Sequence, residues 1–275
     1  MSLPTASITI SVLLLVASFP TAAQDSVHPE LSSRYSLDLG LFFPKREIQL
    51  KAGVTVPGAR DIDFGSEFGL EKRDQTFAID FRWRFGEKWS LAAQHFSASS
   101  GASAVLDEDV EWNGVVFSSG STVDASTEFA LYRVFFGRSL SKTDNLDFGI
   151  GAGIHWLDLG AEIAGNILVN NNIAFTREAV SSSAPLPNIG GWYDYSLSPR
   201  WAIKARADWF KAHVDEYDGR LVNLQLGVNY AWFQHGGIGV AYNYFEFDAG
   251  ISASGWRGTA DLIYKGPFAF VNIYW

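Results

Sequence analysis

The sequence predicts an all-β fold, an antiparallel β-barrel that crosses a membrane with about ten strands. Segments of about ten residues alternate apolar and polar side chains and are separated by turn signals. After residue 23, no run of about 18 apolar residues occurs that could span a bilayer as a helix. The chain also contains 21 Phe, 10 Trp and 10 Tyr, a composition that suits strands at membrane interfaces. Because an open sheet in lipid would leave backbone groups unpaired, these observations together favour a closed barrel.

The first 23 residues have the pattern of a secretory signal peptide. The apolar run Ile8–Phe19 is too short to cross a bilayer as a helix, and the small residues Thr21 and Ala23 precede a cleavage point before Gln24. The basic residues that usually begin such a peptide are missing, and an uncleaved N-terminal anchor is the alternative interpretation. We expect the mature chain to begin near residue 24.

Segment 76–85 has the clearest strand pattern. Successive side chains of a strand point to opposite faces, so this segment has one apolar face and one charged face. The apolar face consists of Phe77, Ile79, Phe81, Trp83 and Phe85, and the other face of Ala78, Asp80, Arg82 and Arg84. Segments 146–159, 201–210 and 221–232 repeat this division, with aromatic residues near their ends. So many segments share the pattern that we expect the apolar faces to meet lipid and the polar faces to line the lumen.

Short and long connections alternate between these segments. The tight turns are 86–89, 141–145, 197–201 and 234–237. The longer connections lie near 54–75, 99–126 and 159–184, with shorter ones near 215–219 and 249–255. This alternation predicts short turns at one end of the barrel and long loops at the other. Counting gives ten strands, with eight or twelve as alternatives, and the first and last strands close the barrel as antiparallel neighbours.

A proline interrupts both the first and the last predicted strand. Pairing Tyr35 with Trp275 places Pro44 opposite Gly266 and Ile48 opposite Leu262. The apolar residues of both strands change from odd to even positions at this height, next to Pro44 in one strand and to Gly266 and Pro267 in the other. We interpret the change as paired β-bulges at the seam. The alternative is that each prolyl break ends its strand early.

The signal segment, the alternation and the terminal stretch "FVNIYW" together resemble the small Gram-negative outer-membrane barrels, the OmpA-type membrane domain and its relatives. The resemblance covers nearly all of the mature chain. It implies a bacterial outer-membrane location with both termini in the periplasm: a signal peptide over 1–23, a periplasmic lead over 24–33 and a barrel over 34–275. It also implies that Val271, Ile273 and Trp275 form the signal that the barrel-insertion machinery reads.

The inward-facing polar residues include nearly equal numbers of acids and bases. Charges removed from water must be paired, and a small barrel has an interior that side chains can fill. We therefore expect a salt-bridged, plugged lumen, with a narrow passive channel for ions or small solutes as the alternative. The predicted network consists of Asp38, Asp80, Arg82, Arg84, Arg133, Asp147, His155, Asp194, Lys204, Arg206 and Asp208.

One short motif raises the possibility of an enzyme. His95 and Ser97 lie two residues apart, so they share one face of a strand, and Glu108 follows in the next connection. A base beside a nucleophile, oriented by an acid, is the arrangement that hydrolases use. The pair is similar to the His-x-Ser of outer-membrane lipid A deacylases, which place it on the lipid-facing surface. Ala98 stands where those enzymes usually carry Asn, so a deacylase-like hydrolase is the third hypothesis here, and catalysis is not the leading prediction.

Composition limits the classes of ligand and partner that the sequence predicts. The chain has no Cys, so it has neither disulfides nor thiolate metal ligands, and its formal net charge of −9 argues against nucleic acid. No motif signals a metal or a cofactor. The leading prediction is a structural or surface-interaction barrel whose external loops contact outer-membrane lipid, lipopolysaccharide or a protein that the sequence does not name.

Overall fold

A computed structural model describes residues 27–52, 62–63, 67–68, 75–169, 172–214, 217–253 and 256–275. The predicted signal peptide lies outside these residues. Within them the chain forms a closed antiparallel β-barrel, as the sequence predicts. No helix in the described part of the chain is long and apolar enough to span a membrane.

Fourteen strands and one short helix, α1 (Pro29–Ser32), make up the described chain. The strands are β1 (Tyr35–Phe42), β2 (Lys45–Ala52), β3 (Ile62–Asp63), β4 (Thr76–Phe85), β5 (Trp89–Val105), β6 (Val110–Trp112), β7 (Val115–Phe117), β8 (Thr122–Lys142), β9 (Leu146–Val169), β10 (Asn172–Ser196), β11 (Trp201–Val214), β12 (Tyr217–Phe233), β13 (Gly236–Ala253) and β14 (Trp256–Tyr274).

The barrel wall has ten strands, because β1 and β2 are two parts of one wall strand. Both pair with β14, and only Phe43 and Pro44 separate them. Around the wall this strand is followed by β4, β5, β8, β9, β10, β11, β12, β13 and β14. The short strand β3 pairs with β2, and β6 and β7 form a separate hairpin. The pairing of β1 with β14 closes the barrel, as the even strand number predicts.

The register fixes the tilt of the strands. A path of cross-strand partners that begins at Glu47 returns to the same wall strand at Tyr35, which is a shear of 12 residues (47 − 35). The path runs through Ile263, Glu246, Val222, Trp209, Ile189, Ala152, Phe136, Leu91 and Trp83. With ten strands, this shear corresponds to a tilt of about 40°. We call the end that holds Tyr35 and Trp275 the proximal end, and the opposite end the distal end.

The wall is taller than the sequence analysis predicts. Strands β9 and β10 contain 24 and 25 residues and pair with each other almost throughout, so most of the predicted long loop 159–184 is strand. The predicted loop 99–126 likewise contains the ends of β5 and β8 and the β6–β7 hairpin. At about 3.3 Å per residue, β9 is roughly 79 Å long, far more than an apolar band about 25 Å tall requires. Alternation with apolar outward residues predicts loops here, because the outward positions of these segments are polar in the sequence.

The seam contains no paired bulges, so that interpretation is wrong. Partners advance one for one from Leu37 with Ile273 down to Ile48 with Leu262, and β14 continues through Gly266 and Pro267 without a shift. Even-numbered residues of both strands are buried on either side of Pro44. The apolar residues change from the outer to the inner face at this height, while the alternation of inward and outward positions continues without a shift.

The two faces of the wall exchange polarity along its height. In the proximal part the outer face is apolar and the inner face is charged, whereas in the distal part the outer face is polar and the inner face is apolar. Ile48 and Leu50 are therefore buried inside the barrel, whereas Glu47 and Gln49, which alternate with them, face outward. The distal interior contains a packed core that includes Phe42, Phe96, Phe129, Leu131, Leu157, Phe245, Leu262, Tyr264 and Phe268.

The β6–β7 hairpin extends this distal core. Asn113 and Gly114 both have positive φ, 50° and 81°, as a two-residue hairpin turn requires. The hairpin buries Trp112 and Phe117 in the core cluster. The Trp112 indole donates a hydrogen bond to the Glu178 carbonyl of β10, at 3.1 Å, which ties the hairpin to the wall.

Single-cysteine labelling tests the exchange of polarity, since the chain has no native Cys. We expect Gln49→Cys to react rapidly with a charged maleimide in the detergent-solubilised protein, because Gln49 is exposed above the apolar band. Ile48→Cys, one residue away and 2% exposed, should remain unlabelled until the protein is denatured. Labelling of both variants at the same rate would contradict an inward-facing Ile48.

Candidate functional site

The proximal lumen is the most highly charged part of the described barrel. All eleven residues of the predicted network lie on inward-facing positions, and most of them are buried. Alternation along the strands explains this, because their neighbours in the sequence form the apolar outer face. The structure brings the eleven residues together from six wall strands, β1, β4, β8, β9, β10 and β11, and pairs acids with bases.

The deepest pair joins β8 to β11. Arg133 donates from Nε to Asp208 Oδ2 at 2.6 Å and from Nη2 to Asp208 Oδ1 at 2.8 Å, a two-pronged contact. His155 Nε2 lies 3.7 Å from Asp208 Oδ2 and 3.1 Å from the side-chain nitrogen of Asn223. Arg133 also lies over the Phe135 ring at 4.4 Å. His155 is therefore part of the hydrogen-bonded interior, and its neighbours are those of a structural residue.

A second group crosses the middle of the lumen. Arg206 donates to Asp80 Oδ1 at 2.8 Å and to Gln94 Oε1 at 2.9 Å, which links β11 to β4 and β5. Gln225 donates to the other oxygen of Asp80 at 3.3 Å. Both oxygens of the Asp80 carboxylate are thus satisfied, as a buried charge requires.

The remaining pairs lie toward the proximal end. Lys204 donates to Asp38 at 2.7 Å, and Arg84 donates to Asp147 at 3.2 Å. Arg82 is paired with Asp194.

A tryptophan packs beside these pairs. The Trp192 indole donates to Asp147 Oδ1 at 3.1 Å. A Cβ atom at Gly149 would overlap this ring, so the inward-facing glycines of β9 leave the space that Trp192 fills. This part of the lumen is therefore filled by a tryptophan packed on glycine.

The N-terminal segment adds a carboxylate that the sequence analysis did not include. Glu30 of α1 is completely buried, accepts from Asn229 at 2.9 Å and lies 3.6 Å from Lys204 and 4.0 Å from Arg82. His28, also completely buried, donates its backbone N–H to Ser196 Oγ at 3.1 Å. The expected periplasmic lead 24–33 therefore ends as a plug in the proximal mouth. No periodicity marks these few residues, so pattern analysis could not place them.

Little free volume remains among these side chains. A cavity of about 40 Å³ lies between the charged residues of the proximal lumen. It offers room for a few water molecules at most. The distal core of aromatic and aliphatic side chains fills the other half of the barrel. The described side chains thus close the lumen at three levels: the α1 plug, the charged network and the distal core.

The structure places the acid of the predicted hydrolase site away from its base. His95 faces outward, contacts the Leu131 carbonyl through Nδ1 at 2.9 Å and stacks on Tyr132 with 4.4 Å between ring centroids. Glu108 follows the distal end of β5, eight residues of strand beyond Ser97, which is roughly 26 Å. The base and the acid of the expected arrangement are therefore far apart.

The residues of the predicted insertion signal form the outer face at the end of β14. Val271, Ile273 and Trp275 are 54%, 39% and 50% exposed, as residues that face lipid should be. Trp275 stacks on Tyr35 across the seam with 5.3 Å between ring centroids. Their recognition by an insertion machinery remains a prediction.

Comparison with solved structures defines the class of fold. The outer membrane protease OmpT from Escherichia coli aligns with 88% of this chain and 96% of its own, at 11% identity and a TM-score of 0.56. OprG from Pseudomonas aeruginosa aligns with 91% of this chain and 99% of its own, at 11% identity and a TM-score of 0.35. No family model and no curated protein sequence matches the chain. The chain therefore has the fold of the outer-membrane β-barrel proteins, a likeness that at these identities extends to the fold alone.

The Arg133–Asp208 pair provides a test of the lumen network. We expect Arg133→Met to lower the free energy of unfolding by about 3–5 kcal/mol, because Asp208 would stay buried without its main partner. The double variant Arg133→Met/Asp208→Leu should lower the free energy of unfolding by less than this single variant, since it removes both members of the pair and leaves neither charge without its partner. Urea unfolding in detergent, followed by tryptophan fluorescence, measures both.

The matched control is Arg177→Met. Arg177 forms an exposed pair with Glu162 on the outer face, at 3.4 Å, and its loss should cost at most about 1 kcal/mol. Equal losses of unfolding free energy for Arg133→Met and Arg177→Met would contradict a network that stabilises the barrel.

Proposed function

We propose that this protein is an outer-membrane barrel with a permanently closed lumen, whose distal wall acts as a structural or interaction surface outside the membrane. The observation that carries the proposal is the filling of the lumen by paired charges, the α1 plug and the distal core. A barrel filled in this way has no path for a solute. The side chains that a partner can reach then lie on the outside of the wall.

The outer face supports the membrane position. Its apolar residues form a band of nine to eleven positions per strand, for example Tyr35–Phe43 and Pro267–Trp275, and strands of this length cross a bilayer at the observed tilt. Aromatic side chains mark the edges of the band, with Trp83, Trp89 and Trp275 at the proximal edge. In our proposal the proximal end faces the periplasm, residues 1–23 are removed on export, and the barrel-insertion machinery reads the end of β14.

The distal wall is the proposed interaction surface. Beyond the band its outer face carries exposed polar residues such as Ser97, Glu128, Arg177 and Asp248, while its inner face is a packed core. A rigid wall of this kind offers a fixed surface where the sequence analysis expected free loops.

A passive channel and a lipid A-modifying hydrolase remain the alternatives of the sequence analysis. The channel would need a displacement of both the charged network and the distal core. The hydrolase would need an acid near His95, whose ring contacts the Leu131 carbonyl and the Tyr132 ring and whose other cross-strand partner is Ile79. OmpT is a protease, but a likeness of fold supports no proposal of proteolysis here.

Single-channel recording tests the closed lumen. We expect the refolded mature chain in a planar bilayer to show no steady conductance. The variant Arg82→Ala/Arg206→Ala should also be silent, because the distal core closes the barrel independently of these charges. A refolded open porin recorded under the same conditions is the positive control, and steady conductance of the unmodified protein would overturn the proposal.

A further inference from the structure

Four outward-facing cations lie at the distal edge of the apolar band. We call Lys45, Lys211, Arg220 and Lys265 the cationic arc. They belong to β2, β11, β12 and β14, and only β13 lies between the members. All four follow directly after the apolar outer residues of their strands.

The strand tilt places the arc at a single height. Because the strands are tilted, two direct cross-strand partners differ in height along the barrel axis. A shear of 12 over ten strands makes this difference about one residue from one strand to the next. With this correction, Lys211, Arg220 and Lys265 lie within about 3 Å of the height of Lys45. This height is ten residues above Tyr35, or roughly 25 Å along the barrel axis. It is the level at which the hydrocarbon core ends and the headgroups of the outer leaflet begin.

The arc consists of two like-charged pairs. Lys45 is the direct partner of Lys265, and Lys211 is the direct partner of Arg220. Cross-strand partners on one face have Cβ atoms about 5 Å apart, and like charges at that distance repel. Such pairs are stable where an anion lies between or above them.

The described carboxylates compensate this charge only in part. Lys45 and Lys265 share a single oxygen of Glu47, at 3.5 and 2.8 Å, and their side chains stay 52% and 31% exposed. Arg220 lies 3.3 Å from Glu246, which also accepts from the Tyr244 hydroxyl at 2.7 Å. Lys211 is exposed on the outer face.

The opposite side of the wall carries no cation at this height within the described chain. Its outward residues there are neutral or acidic. They are Gln75, Ser99, Ala130, Pro185 and Asp158. Among the described residues, the positive charge at this height therefore lies on one half of the circumference, although the whole chain has a net charge of −9.

We propose that the cationic arc binds the phosphate groups of a glycolipid in the outer leaflet, a lipid A-type headgroup whose acyl chains lie along the apolar band below. This site rests on the membrane position in the proposed function. The two cation pairs are two strand spacings apart, roughly 10 Å, so one headgroup with a phosphate at each end can contact both. Because the wall holds the four backbone positions fixed, the protein itself loses only side-chain freedom on binding.

Titration with lipid A tests the site. The folded protein in dodecyl maltoside is titrated with bis-phosphorylated lipid A, and native mass spectrometry gives the bound fraction and the Kd. We expect Lys45→Ala/Lys265→Ala to raise the Kd about tenfold or more, the effect of losing charge-assisted contacts. Lipid A without phosphates, with the same acyl chains, should bind both proteins equally weakly.

Glu47→Gln gives the opposite change. It removes the anion that Lys45 and Lys265 share, so it should lower the Kd for bis-phosphorylated lipid A. A residue with only a structural role would not tighten binding when it is neutralised. Arg177→Ala, an exposed cation about 20 Å farther from the membrane, is the matched control and should leave the Kd unchanged.

Several outcomes would overturn the site. Equal Kd values for the unmodified protein and the double lysine variant, or full competition by inorganic phosphate, would contradict a glycolipid site. If the double variant does not refold, as judged by its gel mobility before and after heating, Lys211→Ala replaces it. Steady conductance would overturn the closed lumen but not this site, so the two proposals fail separately.

Discussion

A barrel wall has two faces, and the medium outside it decides which face is apolar. Where the outside is lipid, the outer face must be apolar and the inner face can hold polar groups only if they satisfy one another. Where the outside is water, the apolar face turns inward and packs as it would in a soluble protein. In this protein one continuous set of strands meets both conditions, and the exchange occurs at the height of Pro44 and Pro267. The features described here follow from that exchange.

Charged side chains occupy most of the proximal interior, so this half depends on charge pairing. Arg133 with Asp208, Arg206 with Asp80 and Lys204 with Asp38 join strands that are far apart around the wall. Each member is costly to bury alone and is stabilised by its partner. The α1 plug completes the same network, because Glu30 takes a place beside Lys204. The distal half obtains its stability differently, from aromatic packing such as that of Phe129 on Tyr264, with 4.7 Å between ring centroids.

The exchange of polarity also defines a boundary on the outside. Just beyond the apolar band the wall must present residues suited to headgroups, and among the described residues it does so unevenly, with cations on one side and neutral or acidic residues on the other. Because β-strands hold alternate residues at fixed spacing, this asymmetry is rigid. Both proposed interaction sites therefore lie on the outer surface, the cationic arc at the membrane level and the distal wall farther out.

The sequence by itself determined the fold class and the closure of the barrel, favoured ten strands over eight or twelve, and placed eleven charged or polar residues on the inner face. Each of these depends on period-2 alternation, which a strand expresses locally: once Asp80 and Arg82 alternate with Ile79 and Phe81, they share one face whatever the partners are. The sequence did not determine which medium surrounds each part of the wall. The same alternation therefore suggested bulges at Pro44 and loops over 159–184, where the structure has continuous strands with an inverted core.

Only the tertiary structure decided the pairing partners, the position of α1 and the grouping of the cationic arc. Glu30 meets Lys204, 174 residues away in the chain, and Lys45 meets Lys265 across the seam. These contacts depend on the register and shear of the closed barrel, which arise from all ten strands together. No local pattern encodes them, because a residue's own neighbours in the sequence specify its face but not the strand that lies across from it.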